Sequence, residues 1–219
     1  AERAEAVAQQ VLALQPPATD AQRRVAWTVL AHTAFDGGRF DIAERAYGEV
    51  LALTPAQAAG RNELVERQAA AIYKQGEAAR DAGRGREAVG HFERIAQVAP
   101  QSAVRATAQY DAAAVLIGLK DWDAAARSLE AFRQQHPKHP LQAEVPAKLA
   151  TVYLEQGNWA QAAGEFERVA ATHRDPAVAR EAQWQAAELH QKSTERGASR
   201  GAATRAYERY LQQHPQPLE

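Results

Sequence analysis

A short apolar segment that ends in proline recurs along the chain. It reads VLALQP to Pro16, VLALTP to Pro55, IAQVAP to Pro100, FRQQHP to Pro137 and YLQQHP to Pro215. Pro55 to Pro100 is 45 residues, and Pro100 to Pro137 is 37. A further 37 lands on Arg174, where VAATHR repeats the pattern without its proline, and Pro215 follows 41 later. A period of this length constrains the fold strongly. A single unit is too small to bury its own apolar face, so neighbouring units must stack into one continuous core.

The register also holds inside each unit. About twelve residues before the closing proline stands a small residue: Ala4, Ala43, Ala88, Ala125, Ala162 and Ala203. Four residues on comes Tyr47, Phe92, Leu129, Phe166 or Tyr207, and three beyond that Val11, Val50, Ile95, Phe132, Val169 or Tyr210. Spacings of four and three mark one face of a helix. The alanine lets a second helix approach, and the larger residue fills the gap beyond it. Ala, Leu, Glu, Gln and Arg, all strong helix formers, dominate a chain without β-branched runs, so the expected class is all-α. Turns of matching form (DGGRFD, DAGRGR, LKDWDA, QGNWAQ) precede these helices. Asp121 and Asn158 stand where a side-chain oxygen caps a helix start. Thr54-Pro55 and Asp175-Pro176 read as a cap followed by proline in the first turn, so that each closing proline also opens a helix.

On these residues the chain resembles a tetratricopeptide repeat (TPR) array. Trp27, Leu30, Ala31, Ala34, Gly38, Phe40, Ala43, Tyr47, Val50 and Pro55 carry the first full unit, and Gly76, Ala79, Gly83, Ala88, Phe92 and Pro100 the second. Ala113, Trp122, Ala125 and Pro137 mark the third, and Ala150, Tyr153, Gly157, Trp159, Ala162 and Phe166 the fourth. The fifth is longer by four residues between Ala187 and Ala203. The resemblance implies a right-handed superhelical solenoid of about eleven antiparallel helices. It is divided as a partial repeat over 1–17 and repeats over 18–57, 58–102, 103–139, 140–175 and 176–217. Eleven extra residues near AAGRNELVERQ lengthen the start of the second unit or place a turn at Gly60. The 37-residue period is similar to that of bacterial cell-envelope repeat proteins, which favours periplasm or envelope over cytoplasm. The chain has no Met, residues 1–15 read as a second helix without its first, and PLE reads as the start of another unit. It is therefore expected to be a segment of a longer array, with exposed array ends able to self-associate.

Chemistry finds little purchase here. Lys plus Arg is 26 and Asp plus Glu 27, a net charge of −1 that gives no general drive toward nucleic acid or anionic membrane. No apolar run is long enough to span a bilayer, and no signal-peptide pattern is present. The absence of cysteine removes disulfides, thiolate metal sites and cysteine nucleophiles. Gly197-Ala198-Ser199-Arg200-Gly201 matches G-x-S-x-G, but that motif needs a strand before it, and its flanks here are helical. The fifth unit's excess falls there, so a lengthened turn is expected. The seven histidines lack metal-ligand spacing, and only His136 and His139 stand near each other. GRGREAVG lacks the spacing of a phosphate loop. Glu63, Glu66, Glu165 and Glu167 sit at exposed-face spacings beside arginines and read as a solvated face. Arg196, Arg200, Arg205 and Arg209 form a basic stripe interrupted by Glu208, also read as solvated. No cofactor, no metal and no enzymatic activity are expected.

What remains is a surface for a partner. The resemblance implies that first helices line a concave groove, with His32 and Phe35, then Tyr73, Glu77 and Arg80, then Tyr110 and Ile117, then Leu154, then Trp184 and Glu188 facing inward. Residues 73, 110 and 184 are equivalent and aromatic, which suits an extended peptide or a docked helix of a protein partner. Packing between helices is the competing role for the same rings, and Trp122 and Trp159 are assigned to packing. The groove lacks the lysines and asparagines of a carboxylate clamp. Two functions follow: an interaction scaffold in a multiprotein assembly, or a structural spacer whose groove stays empty.

Overall fold

The computed structural model describes residues 2–198 and 200–215. Among them the chain is all helix, with eleven α-helices. These are α1 (Glu2–Leu12), α2 (Asp20–Asp36), α3 (Phe40–Ala52), α4 (Arg61–Asp81), α5 (Gly85–Val98), α6 (Val104–Gly118), α7 (Trp122–Gln135), α8 (Val145–Glu155), α9 (Trp159–Thr172), α10 (Pro176–Thr194) and α11 (Arg200–Gln213). A 3-10 turn, Pro140–Ala143, precedes α8. The chain forms two compact bodies, Ala1–Val115 and Leu116–Glu219. Within each body, helices pack on their neighbours in sequence: α1 to α5 in the first, α7 to α11 in the second. Ser199 of the G-x-S-x-G match and the closing Pro217-Leu218-Glu219 lie outside the described residues.

The small-then-large register is the core. Ala43, Ala88, Ala125 and Ala162 are fully buried, and Tyr47, Phe92, Leu129 and Phe132 are among the largest buried side chains. The turn between paired helices is equally regular. Gly38 (φ 72°), Gly83 (φ 76°), Lys120 (φ 57°) and Gly157 (φ 69°) occupy one repeat position, and all are left-handed. Each N–H donates to the carbonyl three residues back, and the next N–H donates to the carbonyl five back, as in Asn158 to Tyr153 (2.8 Å) and Asp121 to Leu116 (2.9 Å). Carbonyls orphaned at the end of the first helix are satisfied this way, and the chain reverses.

Several sequence expectations are corrected. The fifth unit's excess is mostly helix: α10 runs to Thr194, and the same left-handed closure occurs at Gly197 (φ 91°). Asp175 caps α10, with Pro176 in its first turn, and Asp121 caps α7. Thr54 caps nothing. Its buried hydroxyl donates to the Val50 carbonyl (2.5 Å), and α4 starts at Arg61 after the left-handed Gly60. Asn158 makes no capping bond. Closing prolines are therefore not general helix openers. Pro55 and Pro100 lie in turns, α2 is opened by a capping box between Thr19 and Gln22, and the 3-10 turn begins at Pro140, not Pro137.

The carboxylates differ too. Glu165 is buried and takes a bidentate pair of bonds from Arg133 (2.9 and 2.6 Å), tying α9 to α7. Glu66 accepts from the Ser102 hydroxyl (2.7 Å) and the Ala103 N–H (3.0 Å), which caps α6 from the extended start of α4. Arg61 at the start of that extension donates to the carbonyls of Leu51 (2.7 Å) and Thr54 (2.5 Å), closing the end of α3. The eleven extra residues thus fasten α3 and α6. Spacing within one helix could not show this, because the partners lie on other helices.

Candidate partner-binding surfaces

In the first body, α2 and α4 carry most candidates. His32 is half-buried against the ring of Tyr47 (5.8 Å), and Phe35 makes an edge contact with Phe40 (5.3 Å). Tyr73 lies against Phe92 (5.3 Å) on the partner helix α5, and its hydroxyl donates to Asp111 of α6 (2.5 Å). Burial and then that bond to Asp111 push the Tyr73 phenol well above its ordinary value, with Glu77 adding to the effect. Glu77 is paired with Lys74 (2.6 Å), and Arg80 is exposed beside Asp81 (3.0 Å). The Arg80 guanidinium also feels Asp111 and Glu77. The Tyr73–Asp111 bond joins α4 to α6, and Glu77 and Arg80 lie within electrostatic reach of it. Tyr110 is buried, at 6 % exposure, and belongs to the core.

In the second body Trp184 packs edge-on against Tyr207 (5.6 Å) and Tyr210 (5.2 Å) of α11. Ile117 is half-buried, while Leu154 and Glu188 are exposed. Tyr73 and Trp184 both lie on second-helix aromatics of their own unit, but in different settings: tilted on Phe92 with a bond to Asp111, and edge-on to Tyr207 and Tyr210. Trp159 lies under Lys192 of α10 (4.5 Å) and Arg196 of the turn that follows it (4.0 Å), a cation–π contact. Arg196 also donates to the Gly157 carbonyl (3.1 Å), and Arg209 reaches Glu167 (3.4 Å), so half of the basic stripe is engaged.

Asp111 was not among the sequence candidates. Its one signal is position, next to Tyr110, which is the repeat equivalent of Tyr73. His136 and His139 both face the ring of Phe132 (5.3 and 5.4 Å), and the His139 Nδ1 accepts from the Leu141 N–H (3.3 Å). Among the described residues no three His, Asp or Glu side chains group as metal ligands. No helix among them is long and apolar enough to cross a membrane.

A sequence profile of the tetratricopeptide repeat family matches residues 116–187, and a second profile of that family matches 70–102. The chain is a tetratricopeptide repeat protein. No curated protein matches it. Solved structures similar to this TPR chain include that of MamA protein, 18% identical over 90% of this chain and 97% of that one, with a TM-score of 0.46. Another is BtubC (BKLC) from P. vanneervenii, 18% identical over 100% and 92%, TM-score 0.46. A third is YrrB, described as a TPR protein with an unusual peptide-binding site, 17% identical over 87% and 86%, TM-score 0.48. TPR proteins are in general non-enzymatic, and the family suggests a protein–protein interaction scaffold.

Proposed function

We propose that this TPR chain holds a protein partner along the exposed edge of its first helices, as an extended peptide or a docked helix, within a multiprotein assembly. The reading rests on the Tyr73–Asp111 bond between α4 and α6, with Glu77 and the exposed Arg80 of α4 in electrostatic reach of it. A phenol, two carboxylates and a guanidinium beside a tilted aromatic pair can bond a peptide backbone and grip an apolar side chain. In this reading Arg80, Leu154 and Glu188 contact the partner through solvent-exposed atoms. His32, Phe35, Tyr73, Glu77, Ile117 and Trp184 contribute edges, and Tyr110 acts only by supporting α6. The repeats are bounded as the proline ladder sets them, and the 37-residue spacing favours an assembly in the bacterial cell envelope.

A photo-crosslinker tests the surface when placed at Arg80 and Glu188, with exposed Arg127 on the second helix α7 as the control. The partner is expected to crosslink at the first two positions only. The combined Arg80→Ala, Leu154→Ala and Glu188→Ala variant should weaken binding by roughly tenfold or more. A partner retained at full affinity by that variant would leave the chain a spacer with an empty groove.

A further inference from the structure

Two seams in the second body join successive second helices across a first helix: α7 to α9 over α8, and α9 to α11 over α10. Repeat register lets one seam be compared with the other. Four charged side chains meet in the α7–α9 seam, Glu130 and Arg133 from α7 with Glu165 and Arg168 from α9. Arg133 holds Glu165 through two bonds (2.9 and 2.6 Å), and Arg168 stands 3.6 Å from the same carboxylate. Counted from Ala125, Ala162 and Ala203, their equivalents in the α9–α11 seam are Glu167, Ala170, Ala206 and Arg209. The outer charges are kept, and the inner pair is replaced by two alanines.

A hollow of about 250 Å³ lies where the inner pair is missing, with Ala170, Ala171, Ala179 and Ala206 as its apolar lining. The sister seam is built by α7, α8 and α9 without α10, so α9, α10 and α11 complete this one. Buried Gln183 fixes one end, donating to Gln213 (3.0 Å) and bonding the His214 ring (3.0 Å). Arg209 lacks the inner carboxylate that its equivalent Arg168 has. It leans back on Glu167 at 3.4 Å, a carboxylate it shares with His190 (3.4 Å). Arg180 of α10 is exposed at the hollow and makes no ion pair among the described residues. Two guanidiniums thus border the hollow against one carboxylate.

We infer that this hollow is a binding site for a carboxylate carried on a compact apolar body, either a free small acid or the last residue of a polypeptide. The carboxylate lies at Arg180 and Arg209, taking toward Arg209 the part that Glu165 takes toward Arg168. The apolar body lies against the alanines, in the space that Arg133 and Glu165 occupy in the sister seam. Charge decides the sign of the ligand. A cation would meet two guanidiniums for one carboxylate, and a neutral group would leave Arg180 unpaired, whereas a carboxylate gains charge-assisted bonds from both arginines. None of the groove candidates lines the hollow, so the site does not depend on the groove reading.

Phenylacetate, titrated into the full chain and followed by amide NMR and calorimetry, probes the free acid, and a short peptide ending in phenylalanine probes the chain end. Saturable shifts at the amides of Ala170 and Ala206 are expected, with a dissociation constant of about 1 mM or below. Phenylacetamide has the same shape without the charge and should bind at least about tenfold more weakly. Arg180→Gln and Arg209→Gln change exposed side chains, so folding survives, and each should weaken phenylacetate by a similar factor. Arg127→Gln on α7 should leave binding unchanged. Ala170→Arg with Ala206→Glu rebuilds the inner pair of the sister seam and should abolish binding. Tighter binding of the peptide assigns the site to a chain end, and tighter binding of phenylacetate to a free acid. Neither probe saturating by about 20 mM, phenylacetamide matching phenylacetate, or full affinity in both arginine variants overturns the proposal.

Discussion

Lys120 is the one non-glycine in a turn position that glycine fills in three sister repeats, at φ 57°. A side chain in the left-handed region costs about 1–2 kcal/mol, and glycine's greater freedom in the unfolded chain returns about 0.5–1 of that. Lys120→Gly should therefore stabilise by about 0.5–1 kcal/mol, read as a higher urea midpoint at unchanged slope. Gly76 presents the opposite case. Its repeat equivalents are Ala31, Ala113, Ala150 and Ala187, yet a Cβ at Gly76 would lie 2.5 Å from the Phe92 ring. Phe92 is buried and packed against the tilted ring of Tyr73, so the ring cannot give way freely. Gly76→Ala should cost about 1–3 kcal/mol, outweighing alanine's better helix propensity. Both positions were visible as glycines or turns in the sequence. Their sign was not, because it depends on a dihedral in one case and on a ring from another helix in the other.

Between elements, charge pairs do what apolar spacing does within them. Arg133 and Glu165 tie α7 to α9 with the carboxylate almost wholly enclosed. Removing Glu165 leaves Arg133 with the longer contact to Glu130 (3.7 Å), so Glu165→Ala should destabilise by about 2–3 kcal/mol, while Glu165→Leu with Arg133→Met should recover most of it. In the first body, Arg94 of α5 holds Glu44 of α3 bidentately, and Gln75 of α4 adds a bond of 2.6 Å. Burial raises the Glu44 pKa, but the bonds from Arg94 and Gln75 outweigh it and leave it below the usual carboxylate value. Burial, and then the same Arg94, also lower the His91 pKa, although Glu87 and Glu44 oppose this.

Both shifts act in one direction. The unfolded chain takes up a proton at each group before the folded chain does, so stability falls as pH drops through the histidine and then the carboxylate range. Urea midpoints measured from about pH 7 to about pH 4 should decline, and Glu44→Gln should flatten the acid part of that curve. Within-helix patterns cannot reveal these pairs, since their members stand 32 and 50 residues apart.

At the scale of the molecule, packing within each body runs mainly between successive helices, so stability there is a sum of neighbouring interfaces more than one global core. Helix α1 buries Ala8 alone, whereas α3 buries Ala43, Ala46, Tyr47 and Val50. Amide exchange should therefore show α1 opening well before α3 and α4. The helix class, the pairing of helices and the core register follow from the sequence alone. Repeat periods fix which residues share a face, and stacking leaves few other ways to bury them. The roles of Tyr73, Tyr110 and Trp184 do not follow from it. Three aromatics at one repeat position end in three settings: on Phe92 and bonded to Asp111, inside the core, and edge-on to Tyr207 and Tyr210. Period sets position along a helix, but exposure is set by what the neighbouring helix brings to that spot, and only the tertiary structure decides that.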